Sequence, residues 1–337
     1  MGDTPTPLTT EQIMKDAAGQ ILDLIKSGQA LQWVKLWLGI FSPTNAHSEH
    51  TFTGWNTWLA VMHMTRNGFE SPLYVAAGQA KKLAKAYNEQ NGTNIKPFKA
   101  GGKSTLRLLR PLGFMAKVEQ DDGSIKKVWR ASGKYKAFAA WNIEETNIPA
   151  KWARAQMSIE SREPVQVGDI VERLSEHLGV TINLGGGRAC YNPRTDVISM
   201  PPLDAWEKPS HFITVLLHEA GHATGHRGRL ARSLDFNGFD LKAYAQEELI
   251  AELCAVASAG MLGVEYDLTQ SAAYLQGWGN RTSHEDAVEA IMAAIPAATK
   301  AADMVANGFA WNPELLTPVE GEDMTSPPTE APAMLAA

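Results

Sequence analysis

The chain has 337 residues and a formal net charge of −6; 44% of its residues are hydrophobic and two are cysteines. Its length and apolar content fit two globular domains, and its apolar runs are too short to cross a bilayer, so we expect no membrane contact. We expect no secretory signal, and Cys190 and Cys254 have no CxxC partner, which excludes a thiolate zinc site and indicates a cytoplasmic protein.

The charge is divided unevenly along the chain. Residues 1–150 hold 18 Lys and Arg against 12 Asp and Glu, a net charge of +6, whereas residues 151–337 hold 13 against 25, a net charge of −12. Between residues 81 and 136 there are 14 basic and 4 acidic side chains. The first part is therefore suited to a polyanionic partner, and the second part is not.

The first part is predicted to contain helices followed by strands. Apolar periodicity predicts helices at 9–27, 58–64 and 79–91. Strands are expected in "TLRLLRPLGF", "KKVWRA" and "KYKAFAAWNI", with the turn signal "QDDGS" between the first two. These segments predict an α+β domain over residues 1–150, followed by a linker at 151–165.

The second part is predicted to be mainly helical. Helices are expected at 167–180, 209–226, 241–262 and 283–307, and "GGGRACYNPRTDVISM" is typical of a hairpin. Residues 166–310 should form one domain. Residues 311–337 are rich in proline and acidic residues, which predicts a disordered tail. The fold class is therefore α+β with two domains.

A metal-binding motif lies in "FITVLLHEAGHATGHRGRLAR", residues 212–232. His218 and His222 are one helical turn apart, roughly 6 Å of rise, so both imidazoles can bind one Zn²⁺ from the same face. Glu219 then stands beside the metal's open position, where it can accept a proton from water and return it to a leaving amine. A chance HExxH in a chain of this length has odds on the order of one per cent. The motif predicts a zinc site, with Mn²⁺ or Co²⁺ as substitutes.

A catalytic site needs a third protein ligand, and the same helix offers His226. This residue lies a second turn beyond His222, about 12 Å from His218 along the axis, so it can join only if the helix breaks at Gly225. Gly221, between the two motif histidines, allows another segment to approach this helix closely.

The helix predicted at 241–262 offers carboxylates as the alternative. Glu248 and Glu252 are one turn apart, as expected if Glu248 is the third ligand and Glu252 orients a ligand imidazole. Glu247 competes with Glu248 for the ligand position, and a solvated acidic face is the alternative for all three. The neighbouring hairpin is expected to hold a peptide by strand addition.

The basic part interleaves Lys and Arg with aromatic residues, the pattern of phosphate contact combined with base stacking. We select Lys103, Arg107 and Arg110 as phosphate contacts and Trp55 as a stacking ring. The alternatives are a solvated charged face and an aromatic core. The segment "GGKST" is not a P-loop, because Pro97 stands where the first glycine is required.

Taken together, these motifs resemble the ArdC antirestriction proteins of conjugative plasmids and related mobile elements. The resemblance runs from about residue 18 to 308 and is carried by "FTGWNTWLAV", "ESPLYVAAGQAKKL", "WNIEET", "ACYNPRTDVISMPP", "LLHEAGHATGHRGRLAR" and "YAQEELIAEL". It implies an N-terminal domain that binds single-stranded DNA and a C-terminal zincin-like metallopeptidase fold. It also implies that His218, His222 and Glu248 bind metal beside Glu219.

Three functions compete on these features. The first is a DNA-protection protein of a mobile element that joins a single-strand DNA-binding domain to a metallopeptidase-like domain. The second is a protease acting on DNA-bound proteins, and the third is a non-catalytic DNA-binding protein whose metal is structural. Glu219 favours an enzyme, because a structural site needs no general base. The peptidase substrate, the restriction systems affected and the oligomeric state do not follow from the sequence.

Overall fold

The computed structural model describes residues 9–27, 43–119, 124–157, 167–232, 241–262, 264, 277–280 and 282–308. The chain divides into two compact units, Met1–Ile21 with Ser42–Glu160 and Leu22–Phe41 with Ser161–Ala337. Each unit combines helices with a sheet, so the predicted α+β class with two domains is confirmed. The tail predicted at 311–337 lies outside the described residues, and its disorder stays a prediction.

Up to residue 157, the described residues form one four-stranded sheet and four helices. In chain order the elements are α1 (Thr10–Ser27), β1 (Thr44–Asn45), α2 (Trp55–Asn67), β2 (Leu73–Val75), α3 (Ala77–Asn91), β3 (Leu106–Glu119), β4 (Ile125–Asn142), a 3-10 turn (Ile143–Glu145) and α4 (Ala150–Ala155). The sheet order is β1-β2-β4-β3; β1 and β2 are parallel, and the other pairs are antiparallel. The three helices predicted here are confirmed, with ends that differ by up to three residues.

Strands β3 and β4 form a long ribbon. The two segments predicted as separate strands join into the single strand β4, which has 18 residues. The register shifts between Pro111 and Gly113, because proline lacks the N–H that a regular ladder needs. At the outer edge of β3, the Asn56 amide donates to the carbonyl of Leu109 at 2.8 Å and its oxygen accepts from the Leu109 N–H at 2.7 Å. This contact caps part of an otherwise open sheet edge.

The predicted linker begins inside a helix, which corrects the sequence-based assignment at this point. Helix α4 covers Ala150–Ala155. Ala153 is buried in the same cluster as Leu73 and Ile143. Six residues are too few to produce a recognisable apolar period, so packing against the core reveals this helix where the pattern does not. The segment 158–166 lies outside the described residues.

In the second part of the chain, the residues that the structure describes combine a three-stranded sheet with four helices. Its elements are α5 (Val167–Leu178), β5 (Thr181–Leu184), β6 (Cys190–Asn192), β7 (Val197–Met200), a 3-10 turn (Leu203–Ala205), α6 (Pro209–Ala223), α7 (Leu241–Leu262) and α8 (His284–Asn307). The sheet order is β5-β7-β6, with β5 parallel and β6 antiparallel to β7. The predicted hairpin is confirmed as β6 and β7, whereas β5 was not predicted. None of the described helices is long and apolar enough to span a membrane.

Candidate metal centre

The HExxH motif lies at the carboxyl end of α6. Pro209 begins this helix, where its missing N–H costs no hydrogen bond. Further along, Phe212 and Leu217 are fully buried. This apolar face anchors α6 in the core, and the following turn presents His218 and His222 on one side.

The two histidines converge with Glu248 of α7. Their Nε2 atoms lie 3.1 Å apart; Glu248 Oε2 lies 3.4 Å from His218 Nε2 and Glu248 Oε1 lies 3.6 Å from His222 Nε2. Ligand atoms around one tetrahedral zinc, at bonds of about 2.0–2.2 Å, stand about 3.4 Å apart. The donor set and its spacing therefore fit a single divalent ion.

The other ring nitrogen of each histidine faces a second carboxylate of α7. His218 Nδ1 lies 3.2 Å from Glu252 Oε1, and His222 Nδ1 lies 3.3 Å from Glu247 Oε1. Contacts of this kind fix the ring orientation and the tautomer, so that Nε2 is left to bind metal. The structure thus places Glu252 where the sequence predicts it. It places Glu247, the predicted competitor of Glu248, behind His222 instead.

Arg232 holds Glu247 in this position. The guanidinium donates from Nε to Glu247 Oε2 at 2.9 Å and from Nη2 to Oε1 at 2.8 Å. It also donates to Thr224 Oγ1 at 2.9 Å and to the Gly221 carbonyl at 2.8 Å. One side chain thus joins the end of α6 to α7 behind the site. Sequence reasoning missed it, since its only signal is its place at the end of the segment "GHRGRLAR" after the motif.

The charges of the site shift several pKa values. Burial alone would raise the pKa of Glu248, but its hydrogen bond to His218 and the charge of His222 outweigh burial and lower that pKa to about 2. Burial would likewise lower the pKa of His218, yet the Glu252 and Glu248 carboxylates hold it well above its ordinary value. Arg232 and His222 overcome the burial of Glu247 and lower its pKa. The pocket therefore favours positive charge at its centre.

Glu219 is buried and held by the neighbouring sheet. Its side chain is directed towards β6, where the backbone N–H of Tyr191 donates to Oε2 at 2.7 Å, and the residue is 7% exposed. Because Oε2 is engaged, Oε1 is the oxygen left for a water molecule. Strand β6 is an edge strand of its sheet, so a peptide paired along it would lie beside Glu219.

A buried ion pair fixes the β6–β7 hairpin to the segment after α6. Arg229 donates from Nη2 to Asp196 Oδ2 at 2.7 Å, and its side chain is fully buried. The Tyr191 hydroxyl donates to Asp196 Oδ1 at 2.8 Å. Asp196 has a φ of 52° in the hairpin turn, a conformation that Asp tolerates better than most residues. These contacts hold Tyr191 opposite Glu219.

His226 takes no part in the donor group. Helix α6 was predicted to reach residue 226 but ends at Ala223. The helix therefore breaks before His226, which is the condition for this residue to reach the ion. Its Nδ1 nevertheless accepts a hydrogen bond from the Gly228 N–H at 3.2 Å, and burial lowers its pKa. Among the described residues, the metal-donor group consists of His218, His222 and Glu248.

The residues predicted to contact DNA differ in exposure. Lys103 precedes β3, and it is exposed, as are Arg107 and Arg110 of β3. Trp55, the first residue of α2, is only 7% exposed. A buried ring offers no face to a base, so its position in the core does not support the predicted stacking role of Trp55.

Comparison with known proteins agrees with this division of the chain. Residues 11–140 match the family described as the N-terminal domain of anti-restriction factor ArdC, and residues 169–299 match a zincin-like metallopeptidase family. The metal-free crystal structure of the antirestriction ArdC protein from plasmid R388 has a TM-score of 0.59 and 26% identity, covering 86% of this chain and 96% of that chain. Its Mn(II)-bound structure has a TM-score of 0.60 and 24% identity, with coverage of 87% and 96%.

Relatives of the chain include longer proteins. DNA primase TraC of Escherichia coli is 29% identical over 297 residues, which is 84% of this chain but 26% of the primase. The uncharacterized protein y4eC of Sinorhizobium fredii is 25% identical over 232 residues, 64% of this chain and 75% of that protein. The fold and these matches define a two-domain protein with a zincin-like metallopeptidase domain. The chain belongs to the ArdC family, as its motifs predict.

Proposed function

We propose that this chain is an antirestriction protein of a mobile element, in which a unit that binds single-stranded DNA is joined to a metallopeptidase unit. The observation that carries the proposal is the convergence of His218, His222 and Glu248 beside the buried carboxylate of Glu219. The similarity to the antirestriction ArdC protein of plasmid R388 supports the biological role.

The site is suited to peptide hydrolysis with Zn²⁺ as the resident ion and Mn²⁺ or Co²⁺ as substitutes. The two imidazoles and the Glu248 carboxylate would hold the ion, which when bound would act as a Lewis acid towards a carbonyl and towards water. Glu219 accepts a proton from the attacking water through Oε1 and returns it to the leaving amine. The Tyr191 N–H keeps this carboxylate in place meanwhile. For the protein substrate we propose a class only: an extended peptide that pairs along β6.

The DNA-binding part of the proposal rests on charge and exposure. Lys103, Arg107 and Arg110 are exposed on one unit, within a part of the sequence that carries a net positive charge. Cations of this kind bind phosphates by releasing condensed counterions, which makes the affinity strongly dependent on salt. Little base preference is expected, because the sequence signal is charge combined with aromatic rings and is not that of a groove-reading helix.

The biological role is tested by plasmid transfer into a host with a restriction system. Donor cells that express the full chain should give more transconjugants from unmodified plasmid than cells with an empty vector, while transfer into a host without restriction stays unchanged. An equal rise in both hosts would mean that the chain promotes transfer rather than protection. No rise in either host would refute the antirestriction role.

The two activities are separated by the variant Glu219→Gln, which keeps the size and removes the base. If protection requires peptide hydrolysis, this variant should lose both hydrolysis and protection while it still binds metal and a thymidine oligonucleotide. If protection survives, the metal is structural for that role and DNA binding alone explains it. Metal content is measured on the purified chain in both cases, so that a misfolded variant is recognised.

A further inference from the structure

The distal part of the β3–β4 ribbon, which we define as residues 110–119 and 125–136, exposes apolar side chains that would normally be buried. The base of the ribbon is ordinary core, since Leu108 and Leu109 are 1% and 2% exposed. At the register shift between Pro111 and Gly113 and beyond it, several large apolar side chains are exposed: Leu112 37%, Phe114 59%, Met115 56%, Ile125 67% and Tyr135 39%. Phe138, opposite Leu108 at the base, is also 38% exposed. Exposed patches of this kind mark a binding surface more often than chance.

The same ribbon places like charges directly opposite each other. Arg110 pairs with Lys136, and Lys117 pairs with Lys127, across β3 and β4. All four side chains are exposed. Opposed like charges on neighbouring strands destabilise a sheet, so a ribbon that carries two such pairs is best stabilised by an anion that lies across both strands. Residues 110–136 hold seven Lys and Arg against three Asp and Glu.

The two pairs are well separated along the strand. Arg110 and Lys117 are seven residues apart on β3, which corresponds to roughly 20 Å. A small anion can neutralise one pair only, whereas a polymer with regularly spaced phosphates can pass round the ribbon and neutralise both. Because side chains alternate along a strand, Arg110 and Lys136 share one face of the ribbon with Phe114. Lys117 and Lys127 share the other face with Tyr135, so each face carries one cation pair and one ring. Aromatic rings beside backbone-binding cations are the arrangement by which proteins hold unpaired bases.

We propose that the distal ribbon is the surface that binds single-stranded DNA, with phosphates at the two cation pairs and bases stacked on Phe114 and Tyr135. This inference rests on the proposed DNA-binding function and assigns it to a ribbon rather than to the basic helix α3. A single strand is favoured over a duplex because exposed rings can stack only on bases that are not already paired.

The experiment measures binding of the full chain to a fluorescent thymidine 30-mer at several salt concentrations. The ribbon variant Lys117→Gln/Lys127→Gln should bind more weakly and should flatten the log–log salt slope by about 1.4, since each lost phosphate contact contributes about 0.7. The matched control Lys81→Gln/Lys82→Gln removes two exposed cations from α3 and should leave the slope unchanged. Phe114→Ala should weaken binding about tenfold or more through lost stacking.

Each of the following outcomes would contradict one specific part of the proposal. If the wild-type chain fails to bind the 30-mer, the proposed DNA-binding function is wrong. If the wild type binds and the ribbon variants bind equally well, only the assignment to the ribbon is wrong. Preference for a duplex of the same length, unaffected by Phe114→Ala, would refute stacking. If the variants change only the sedimentation mass, the ribbon joins two copies of the chain instead. Because all substituted side chains are exposed, circular dichroism should show unchanged folding.

Discussion

A Cβ atom placed on Gly221 would lie 3.0 Å from Ala251 Cα and 3.1 Å from the Ala251 carbonyl oxygen. Helices α6 and α7 therefore meet backbone to backbone at the glycine of the HExxH motif. This close approach brings the carboxylates of α7 within reach of the motif histidines. The predicted role of Gly221 as a point of close approach is confirmed.

Gly221→Ala should therefore damage both stability and the metal centre. The added methyl group meets backbone atoms that cannot rotate away, so α6 and α7 must separate. We expect a loss of about 1–3 kcal/mol in the free energy of unfolding, the usual cost of overpacking, together with weaker metal binding. Urea denaturation and zinc titration measure the two effects.

Gly168→Ala is the matched control in the same unit. A Cβ at Gly168, in the first turn of α5, would meet no atom within 4 Å. Alanine there should leave metal binding unchanged and should stabilise the fold by about 0.5–1 kcal/mol, because it restricts the unfolded chain. Equal behaviour of the two variants would contradict the packing argument.

The variants Glu248→Ala, Glu252→Gln and His226→Ala should lose zinc affinity to different extents, in that order from largest to smallest. Glu252→Gln should cost roughly 10–100-fold, as expected for a group that orients a ligand. Glu248→Ala should cost more than that, because it removes a ligand. His226→Ala should cost nothing, since that imidazole is engaged with Gly228. Calorimetric zinc titration gives the order, and a large loss in His226→Ala with retention in Glu248→Ala would reverse the assignment.

Much of the site follows from local sequence rules, and the remainder depends on tertiary contacts. The spacing of His218 and His222 is a property of one helix, and the spacing of Glu248 and Glu252 is a property of another. Both could be read from the sequence. The sequence could not decide between Glu247 and Glu248, because adjacent residues differ by about 100° around a helix axis and only the packing of α6 on α7 selects one of them.

Other features were missed because they involve distant or irregular backbone. The Tyr191 N–H that holds Glu219 belongs to the main chain and leaves no side-chain signal. Strand β5 has four residues and no buried side chain, so it lacks an apolar pattern. The end of α6 at Ala223 depends on backbone contacts such as Leu230 N–H to the Thr224 carbonyl. None of these could be derived from periodicity alone.

Peptide hydrolysis should depend on Glu219 without a matching change in metal binding. Glu219→Gln still accepts the Tyr191 N–H through its amide oxygen, so the hairpin should stay in place. A loss of about 100-fold or more in hydrolysis is expected when a general base is removed. A quenched fluorescent peptide library provides the measurement. Unchanged hydrolysis in the variant would place the activity elsewhere in the chain or in a contaminant.

Zinc affinity should rise with pH. The raised pKa of His218 means that this imidazole is protonated in the metal-free chain at neutral pH, and the proton must leave before Nε2 can bind metal. Affinity should therefore increase by up to about tenfold per pH unit at pH values below the raised pKa and level off above it. Calorimetry in buffers of different ionisation enthalpy counts the released proton.

His218 also makes the stability of the metal-free fold depend on pH, but in the opposite direction: this stability decreases as pH rises. A histidine whose pKa is raised on folding stabilises the chain fully below its unfolded value of about 6.5 and loses this contribution as pH rises through the raised pKa. Glu252→Gln removes the carboxylate that contributes most to the raised pKa and should flatten both dependences. Affinity that is identical at pH 6.5 and pH 8 would show that His218 is neutral without metal.

Removing Arg232 should destabilise the chain by about 3 kcal/mol, because the buried Glu247 carboxylate loses its bidentate partner. The exposed pair Lys85–Glu89 provides a control, since Lys85→Ala should cost less than about 0.5 kcal/mol. Urea denaturation of Arg232→Ala and Lys85→Ala measures the difference. A cost for Arg232→Ala as small as that of the control would mean that the contact with His222 is enough to hold Glu247.

The central claim is that one ion binds between α6 and α7 on His218, His222 and Glu248. Crystals of the zinc-loaded chain, with diffraction recorded on both sides of the zinc absorption edge, locate the ion directly. We expect one anomalous peak per chain, with bonds of about 2.0–2.2 Å to His218 Nε2, His222 Nε2 and a Glu248 oxygen. A peak bonded to His226 or Glu247 in place of Glu248, or no peak near the motif, would contradict it.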